Sequence, residues 1–255
     1  MEKKTIIDIG VSVGKYDDFT EYITKISKKK KGGYVCIANV HMLVEAYDDQ
    51  AFATVVNNAD IVTPDGMPLS LMMRFLYGIN QPRVAGMDLF PDLLRISEEE
   101  KLSVFFYGGT DDLKRKVIKK IEIEYPNLKV KGSIVPPFGE ISDRLSEEYI
   151  AKINKADPNI IFIILGCPKQ EKFMGKISDR INSLMIGIGG AVPVFAGEIN
   201  RAPKWMQRLS LEWMFRLFQE PGRLWKRYLY TNSKFIFLSI REFYRRRILK
   251  KTDSV

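Results

Sequence analysis

The chain has 255 residues, of which 45% are hydrophobic and 28% are charged, and its formal net charge is +9. This length and composition are typical of a globular protein with one large domain, or one domain and an appendage. Two widely separated cysteines, Cys36 and Cys167, exclude a dense disulfide framework and show no metal-ligand spacing. The first ten residues contain too short an apolar run for a signal peptide, and no run approaches the ~18 apolar residues of a spanning helix, so we expect a cytoplasmic protein, soluble or peripheral.

Residues 1–200 alternate between short apolar runs rich in β-branched residues and amphipathic stretches. The predicted strands are Thr5–Ile9, Tyr34–Ala38, Asp60–Val62, Val104–Tyr107, Lys129–Ile134, Ile160–Leu165 and Leu184–Ile188. The predicted helices between them are Phe19–Lys30, His41–Val56, Asp88–Glu100, Asp111–Tyr125 and Asp143–Lys155. This alternation predicts an α/β fold with a doubly wound, mostly parallel, Rossmann-like sheet that binds ligands at the carboxyl ends of its strands.

The pattern changes after residue 200, so we divide the chain into an α/β domain (1–200) and a basic, helical appendage (201–255). The appendage has 14 basic and 4 acidic residues, against 26 basic and 27 acidic residues in the α/β domain. It therefore carries the whole positive excess, and an uneven charge of this kind indicates contact with an anionic surface.

The appendage also has its own apolar pattern. Trp205, Leu209, Trp213 and Leu217 recur every four residues, which predicts one helical face that ends at Pro221-Gly222. A second stretch, 223–249, mixes Trp, Tyr, Phe and Leu with Lys and Arg, which is typical of an amphipathic helix in a membrane interface. The alternatives are a solvated basic face and an RNA-binding surface.

The segment Asn58-Ala-Asp-Ile-Val-Thr-Pro-Asp65-Gly66 takes a short predicted strand into a turn. Asp65 therefore lies at the carboxyl end of a strand, where a carboxylate can accept a proton from an attacking hydroxyl. Because Asp-Gly is also a common turn pair, a purely structural Asp65 is the alternative.

The segment Gly166-Cys-Pro-Lys-Gln-Glu171 follows an apolar strand and begins a helix. The N–H groups of a helix N-terminus bind anions, Lys169 suits a phosphate, and Gln170 suits a hydroxyl. The alternative is a helix begun by proline, with Glu171 stabilised by the positive end of the helix dipole.

Two further strand ends are rich in glycine, Gly108-Gly109 and Gly187-Ile-Gly189-Gly190. Glycine allows a ligand to approach the backbone closely. Val192 stands where the last glycine of GxGxxG would be, which argues against a dinucleotide site and an NAD-dependent enzyme. Polar or glycine-rich ends on four strands together predict one binding edge.

The sequence offers few residues for a metal site, a cofactor site or a catalytic triad. His41 is the only histidine, which disfavours histidine metal sites and Ser-His-Asp triads, and we interpret it as structural. No Asp-x-Asp follows an apolar strand, so we predict neither a metal nor a cofactor. An anionic leaving group would then need cations or helix N-termini. Arg216, Arg223 and Arg227 are spaced to share one helical face if Pro221-Gly222 permits.

Together these segments resemble the WecG/TagA/CpsF family of bacterial glycosyltransferases over nearly the whole chain. The motifs that carry the resemblance are NADIVTPDGMPL, RVAGMDL, FFYGGTDD, LGCPKQEKFM, GIGGAVPVFAGEINRAPKWMQ and LEWMFRLFQEPGRLWKRYL. The resemblance implies inverting transfer of a sugar, with N-acetylmannosamine the best match, from a UDP-sugar to undecaprenyl-diphosphate-linked N-acetylglucosamine. The pathway implied is teichoic acid or surface polysaccharide synthesis, and the alternative is another hexose or a uronic acid in capsule or exopolysaccharide assembly.

The resemblance also implies site residues. Asp65 would be the general base, Gln170 would contact a substrate, and Arg216, Arg223 and Arg227 would bind the diphosphate without a metal. The other substrate-binding candidates are Asn39, Gly66, Arg83, Gly108, Gly109, Lys169, Glu171, Gly187, Gly189 and Gly190. Many members have Thr where this chain has Ile37, which leaves the sugar open.

The family's appendage docks on the membrane and completes the site, which implies a peripheral location on the inner face of the cell membrane and contact with its anionic surface. A non-catalytic membrane- or RNA-binding module is the alternative of another class, and it predicts salt-dependent RNA binding without turnover. The chain lacks the stacking motif of RNA-binding folds, so we predict no nucleic-acid partner. Exposed apolar surface on the appendage predicts pairing of protomers when no membrane is present.

Overall fold

The computed structural model describes residues 1–137, 139, 146–208 and 211–252, without the side chains of 208, 223 and 247–252. Its strands are β1 (Lys3–Ile6), β2 (Ile9–Ser12), β3 (Tyr34–Ala38), β4 (Ile61–Pro64), β5 (Ser103–Gly108), β6 (Lys129–Ile134), β7 (Ile160–Ile164) and β8 (Leu184–Gly187). The main sheet has the order β4-β3-β8-β7-β5-β6, and every neighbouring pair in it is parallel. The predicted α/β fold is confirmed.

Helices cover both faces of this sheet, because successive strand residues point to opposite sides and both sides are apolar. The helices are α1 (Tyr16–Lys29), α2 (Val40–Asp48), α3 (Gln50–Asn57), α4 (Met67–Tyr77), α5 (Gly86–Glu99), α6 (Asp111–Glu124), α7 (Glu147–Ala156), α8 (Lys169–Ile177) and α9 (Val192–Phe195). Buried side chains of α2, α3, α4, α7 and α8 form the core on one face, and those of α1, α5, α6 and α9 form the core on the other.

The predicted strand Thr5–Ile9 is wrong. Ile7 and Asp8 have φ of 45° and 65°, and they form a two-residue turn between β1 and β2, which pair antiparallel outside the main sheet. Positive φ at both central residues is the geometry that suits the twist of a tight hairpin. The apolar run continued through the turn because Ile6, Ile7 and Ile9 are all buried.

Two helical predictions also need correction. The single helix predicted over His41–Val56 is two helices, because Asp49 has extended backbone and its carboxylate accepts the Phe52 N–H at 3.0 Å, which begins α3. The helix α4 was not predicted, and it follows Gly66, whose φ is 102°. The predicted start of another helix, Asp143, lies outside the described residues.

The appendage forms α10 (Lys204–Arg208), α11 (Glu212–Gln219) and α12 (Pro221–Thr252). Leu209 lies outside the described residues, and α10 and α11 are separate helices instead of one predicted face. The predicted break at Pro221-Gly222 is confirmed as the start of α12, which suits proline because the first N–H of a helix has no intrahelical partner.

Helix α12 has two apolar sides. One side packs on α2 and α4, with buried residues that recur at helical spacing: Leu224, Thr231, Phe235 and Leu238. The opposite side carries Trp225, Leu229, Ile236 and Ile240, each half or more exposed. Within the part of the chain that the structure describes, no helix is both long enough and apolar enough to cross a membrane.

Candidate active site

The carboxyl edge of the sheet gathers the segments that follow five neighbouring strands. In order across the sheet these are Asp65 after β4, Asn39 after β3, Gly189 after β8, Gly166 after β7 and Gly109 after β5. At ~4.8 Å between strands, the five strand ends span about 19 Å. The parallel sheet therefore brings the predicted site segments to one edge.

Asp65 occupies the turn between β4 and α4. Its N–H donates to the Ala38 carbonyl at 2.7 Å, and its carboxylate accepts the N–H of Gly86 at the start of α5. Burial raises the pKa of Asp65, the nearby Glu212 carboxylate adds to this rise, and the Arg83 guanidinium opposes it, which together give a pKa of about 7. A carboxyl group with a pKa near neutrality is suited to exchange protons at the pH of the cell.

Arg83, a predicted substrate-binding residue, lies in a cluster of ion pairs. Its guanidinium donates to Glu212 at 2.7 Å and to Asp88 at 3.2 Å. Arg201 contacts the same two carboxylates. The motifs RVAGMDL and LEWM contain Asp88 and Glu212, but neither residue nor Arg201 was predicted to belong to the site, since contacts between residues more than 100 positions apart leave no local pattern.

Gln170 has a buried side-chain amide that the protein itself uses. Its Oε1 accepts the N–H groups of Gly166 and Gly189, both at 3.2 Å, and its Nε2 donates to Glu171 at 2.7 Å. A Cβ on Gly189 would lie 2.8 Å from this Oε1, and one on Gly187 would lie 2.9 Å from Nε2. Gly187, the last residue of β8, and Gly189 after it therefore leave room for Gln170, which ties the ends of β7 and β8 together.

Glu171 and Lys169 point in different directions from the start of α8. Glu171 is fully buried, and burial raises the pKa of its carboxyl group to about 7. Burial likewise raises the pKa of the neighbouring Cys167 thiol, and the Glu171 carboxylate raises that pKa as well. Lys169 is exposed at the edge. Of the two, Lys169 is therefore the residue accessible to a soluble ligand in this structure.

The turn after β5 is closely packed backbone. Gly108 and Gly109 have φ of 103° and 75°, and a Cβ on Gly108 would lie 2.4 Å from the Ile164 carbonyl. Thr110 then caps α6 by accepting the Leu113 N–H at 3.2 Å. These residues are glycine for conformational reasons, and their turn presents mainly backbone to the edge.

The appendage brings Arg216 over the turn after β8. A Cβ on Gly190, which is exposed, would lie 3.3 Å from Arg216 Nη1. Arg216 Nη2 lies 3.4 Å from Glu220, while its buried Nε has no hydrogen-bond partner among the described residues. An unsatisfied buried guanidinium N–H is costly unless a ligand accepts from it.

Arg227 lies near the start of α2. Burial, and with it the positive charge of Arg227, lowers the pKa of His41 to about 4, so His41 is neutral at pH 7. Arg227 Nε is also buried without a hydrogen-bond partner among the described residues. Asn39 accepts the Met42 N–H at 3.1 Å and so caps α2. Its side-chain oxygen is committed to the helix.

The prediction that Arg216, Arg223 and Arg227 share one helical face is wrong, because Arg216 lies on α11 and the other two lie on α12. The side chain of Arg223 is outside the described residues. Arg216 and Arg227 nevertheless both face the carboxyl edge, at Gly190 and His41. In the described ranges there is no group of three His, Cys, Asp or Glu side chains arranged to hold a metal.

The chain is similar to known proteins over most of its length. The model of the Glycosyl transferase WecG/TagA/CpsF family matches residues 4–249. The N-acetylglucosaminyldiphosphoundecaprenol N-acetyl-beta-D-mannosaminyltransferase of Bacillus subtilis (strain 168) is 35% identical over 232 residues, which cover 90% of this chain and 88% of that protein. The protein of the same name from Bacillus spizizenii is 30% identical over 231 residues, with the same two coverages. The family match includes both the sheet and most of the appendage.

Proposed function

The chain belongs to the WecG/TagA/CpsF family and is a glycosyltransferase, and we propose that it transfers N-acetylmannosamine from a UDP-sugar to undecaprenyl-diphosphate-linked N-acetylglucosamine. The names of the two Bacillus relatives support the transferred sugar and the acceptor, and the family resemblance supports UDP as the carrier. The observation that carries the mechanism is Asp65 at the carboxyl edge, with a pKa near neutrality.

In the proposed reaction, ionised Asp65 accepts the proton of the acceptor hydroxyl. The oxygen of that hydroxyl forms a bond to the anomeric carbon of the donor, while the bond from that carbon to UDP breaks and its electron pair leaves with UDP. A single displacement inverts the anomeric centre. Arg83 opposes the rise of the Asp65 pKa, and so keeps the carboxylate form available near pH 7.

Arg216 and Arg227 would hold the diphosphate of the departing UDP at this edge. Each has a buried Nε without a protein partner among the described residues, and a phosphate oxygen is a strong acceptor for such a group. Fixed cations aimed at developing negative charge lower the barrier to departure of an anionic leaving group. Lys169 and the backbone N–H groups at the start of α8 are further candidates, since they border the same edge.

The exposed side of α12 would lie on the cell membrane, on its inner face. Trp225 and Ile240 are the ends of an apolar stripe on one helical face, about 22 Å long at 1.5 Å per residue. Lys226 lies over the Trp225 ring at one end of this stripe, and a cation near an anionic leaflet contributes about 1 kcal/mol to binding. We therefore propose that residues 201–255 act as a membrane-associating appendage that presents the lipid-linked acceptor to Asp65. Off the membrane, the same stripe would pair protomers.

The proposal is tested by UDP release from a panel of UDP-sugars, with and without a lipid-diphosphate-linked N-acetylglucosamine analogue. The reactions contain EDTA. The expected result is acceptor-dependent release from UDP-N-acetylmannosamine alone. Release from a different UDP-hexose or UDP-uronic acid would replace the sugar assignment, and no acceptor-dependent release from any donor would refute transfer.

A further inference from the structure

Four charged side chains next to Asp65 form a closed ring of ion pairs. Arg83 Nη1 lies 2.7 Å from Glu212, and Arg83 Nη2 lies 3.2 Å from Asp88. Arg201 Nη2 lies 2.6 Å from Asp88, and Arg201 Nε lies 3.6 Å from Glu212; both contacts are ion pairs without hydrogen-bond geometry. Each arginine therefore contacts both carboxylates. The four side chains are only 18–36% exposed, so water screens the ring weakly.

The ring joins the two parts of the chain. Arg83 and Asp88 belong to the segment that begins α5, whereas Arg201 and Glu212 come from the appendage, with Glu212 in the first turn of α11. Arg216 is one turn further along α11, and residues four apart lie on the same side of a helix. A contact that fixes Glu212 therefore also fixes the position of Arg216 over Gly190.

The ring also borders the proposed base. The Val84 N–H donates to the Pro64 carbonyl at 2.9 Å, which places the residue after Arg83 against the end of β4. The Gly86 N–H donates to the Asp65 carboxylate. The charged groups that act on Asp65 are Glu212, Arg83 and Asp88, and all three are members of the ring.

We propose that Glu212 is a positioning residue for sugar transfer, and that the ring is a latch that holds α11, and with it Arg216, in register with Asp65. This inference rests on the proposed function, because it assigns the ring to the same site. Loss of the latch would separate the base from the cation that stabilises the leaving group. Misplacement of reacting groups by about 1 Å costs on the order of 100-fold in rate.

The ring is not needed to attach α11 to the rest of the chain, because a second clasp holds the other end of this helix. Gln219 Oε1 accepts the Asn200 N–H, and Gln219 Nε2 donates to the Asn200 carbonyl, both at 3.1 Å. This clasp is exposed and carries no charge. Gln219→Ala is therefore a matched control, since it removes an uncharged, exposed contact of the same helix without altering the charges around Asp65.

The test compares Glu212→Gln and Gln219→Ala with the wild-type chain by steady-state UDP release across pH. We expect Glu212→Gln to lower kcat by about 10- to 100-fold. We also expect it to move the acidic limb of kcat/KM to lower pH, because removing one negative charge beside Asp65 favours its ionised form. Gln219→Ala should retain the wild-type kcat, and the acidic limb of its kcat/KM profile should stay at the wild-type pH.

A second variant separates position from charge. Glu212→Asp keeps the charge but shortens the side chain, so it should lower kcat while leaving the acidic limb in place, and it serves if Glu212→Gln does not fold. Wild-type kcat in Glu212→Asp, or wild-type kcat and pH profile in Glu212→Gln, would overturn the latch alone. A wild-type chain without acceptor-dependent release would instead overturn the proposed function, and the latch with it.

Discussion

Replacement of Asp65 by Asn is expected to stabilise the fold, and to do so more at pH 8 than at pH 5. Asn keeps an oxygen that can accept the Gly86 N–H, but it removes a carboxylate whose pKa is raised by burial to about 7 from an ordinary 3.8. A rise of this size corresponds to about 4 kcal/mol of unfavourable free energy when the group is ionised, which is an upper bound for a half-buried residue.

The sign follows from proton binding. Because the folded pKa is above the unfolded pKa, the wild-type chain is stabilised by a proton that Asp65 holds between about pH 4 and pH 7, and this contribution is lost as the pH rises through 7. The Asn variant has no such dependence. The free energy of unfolding of the Asn variant should therefore exceed that of the wild type by about 2–3 kcal/mol less at pH 5 than at pH 8.

Urea unfolding of both chains at pH 5 and pH 8 measures this difference. Asp111→Asn is the control, because Asp111 is exposed, and its hydrogen bond to Lys114 lowers the pKa of the carboxyl group. That group is ionised at both pH values, so the effect of the control should be the same at each. An Asp65→Asn advantage that is equal at pH 5 and pH 8 would refute the raised pKa, and with it the base poised near neutrality.

Gly189→Ala should lower the free energy of unfolding by about 1–3 kcal/mol, because its Cβ would displace the Gln170 amide. Gly222→Ala is the control, because its Cβ would meet no atom within 4 Å. Equal urea midpoints for the two variants would contradict the role of the Gln170 amide in joining the ends of β7 and β8. Arg216→Ala should reduce kcat by about 100-fold or more through loss of a cation at the diphosphate; an unchanged kcat in the UDP-release assay would remove Arg216 from the site. Ile236→Glu should weaken binding to anionic vesicles by about tenfold or more in a flotation assay. Ile123→Glu, at an exposed position on α6, is the control and should bind as the wild type does. An equal loss of vesicle binding in both variants would contradict α12 as the membrane-facing helix.

The sheet was predictable because its strands are continuous apolar runs, for which burial on both faces is the physical reason. The run Ile160–Ile164 and the polar turn after it show this directly, since the strand end could be read as a site segment from the sequence alone. The Ile7-Asp8 turn was hidden because isoleucine rarely adopts positive φ, and the break at Asp49 was hidden inside one amphipathic pattern.

Tertiary contacts account for the rest of the differences. Gln170 and Gly189 are 19 positions apart, and the sequence shows only that one is polar and the other small, so the buried amide between two strand ends could not be predicted. Arg83 and Glu212 are 129 positions apart, and a charged residue in a helix is ordinarily a solvated one. The ring beside Asp65 therefore required the structure, whereas Asp65 itself was predicted from its strand-end position and from the family motif.

The most direct test of the central claim measures UDP release by the wild-type chain and by Asp65→Asn at pH 8, with UDP-N-acetylmannosamine and a lipid-diphosphate-linked N-acetylglucosamine analogue. The account predicts acceptor-dependent release by the wild-type chain and a loss of at least about 100-fold in the folded variant. Turnover by Asp65→Asn at the wild-type rate would contradict the assignment of Asp65 as the base at the carboxyl edge of the sheet.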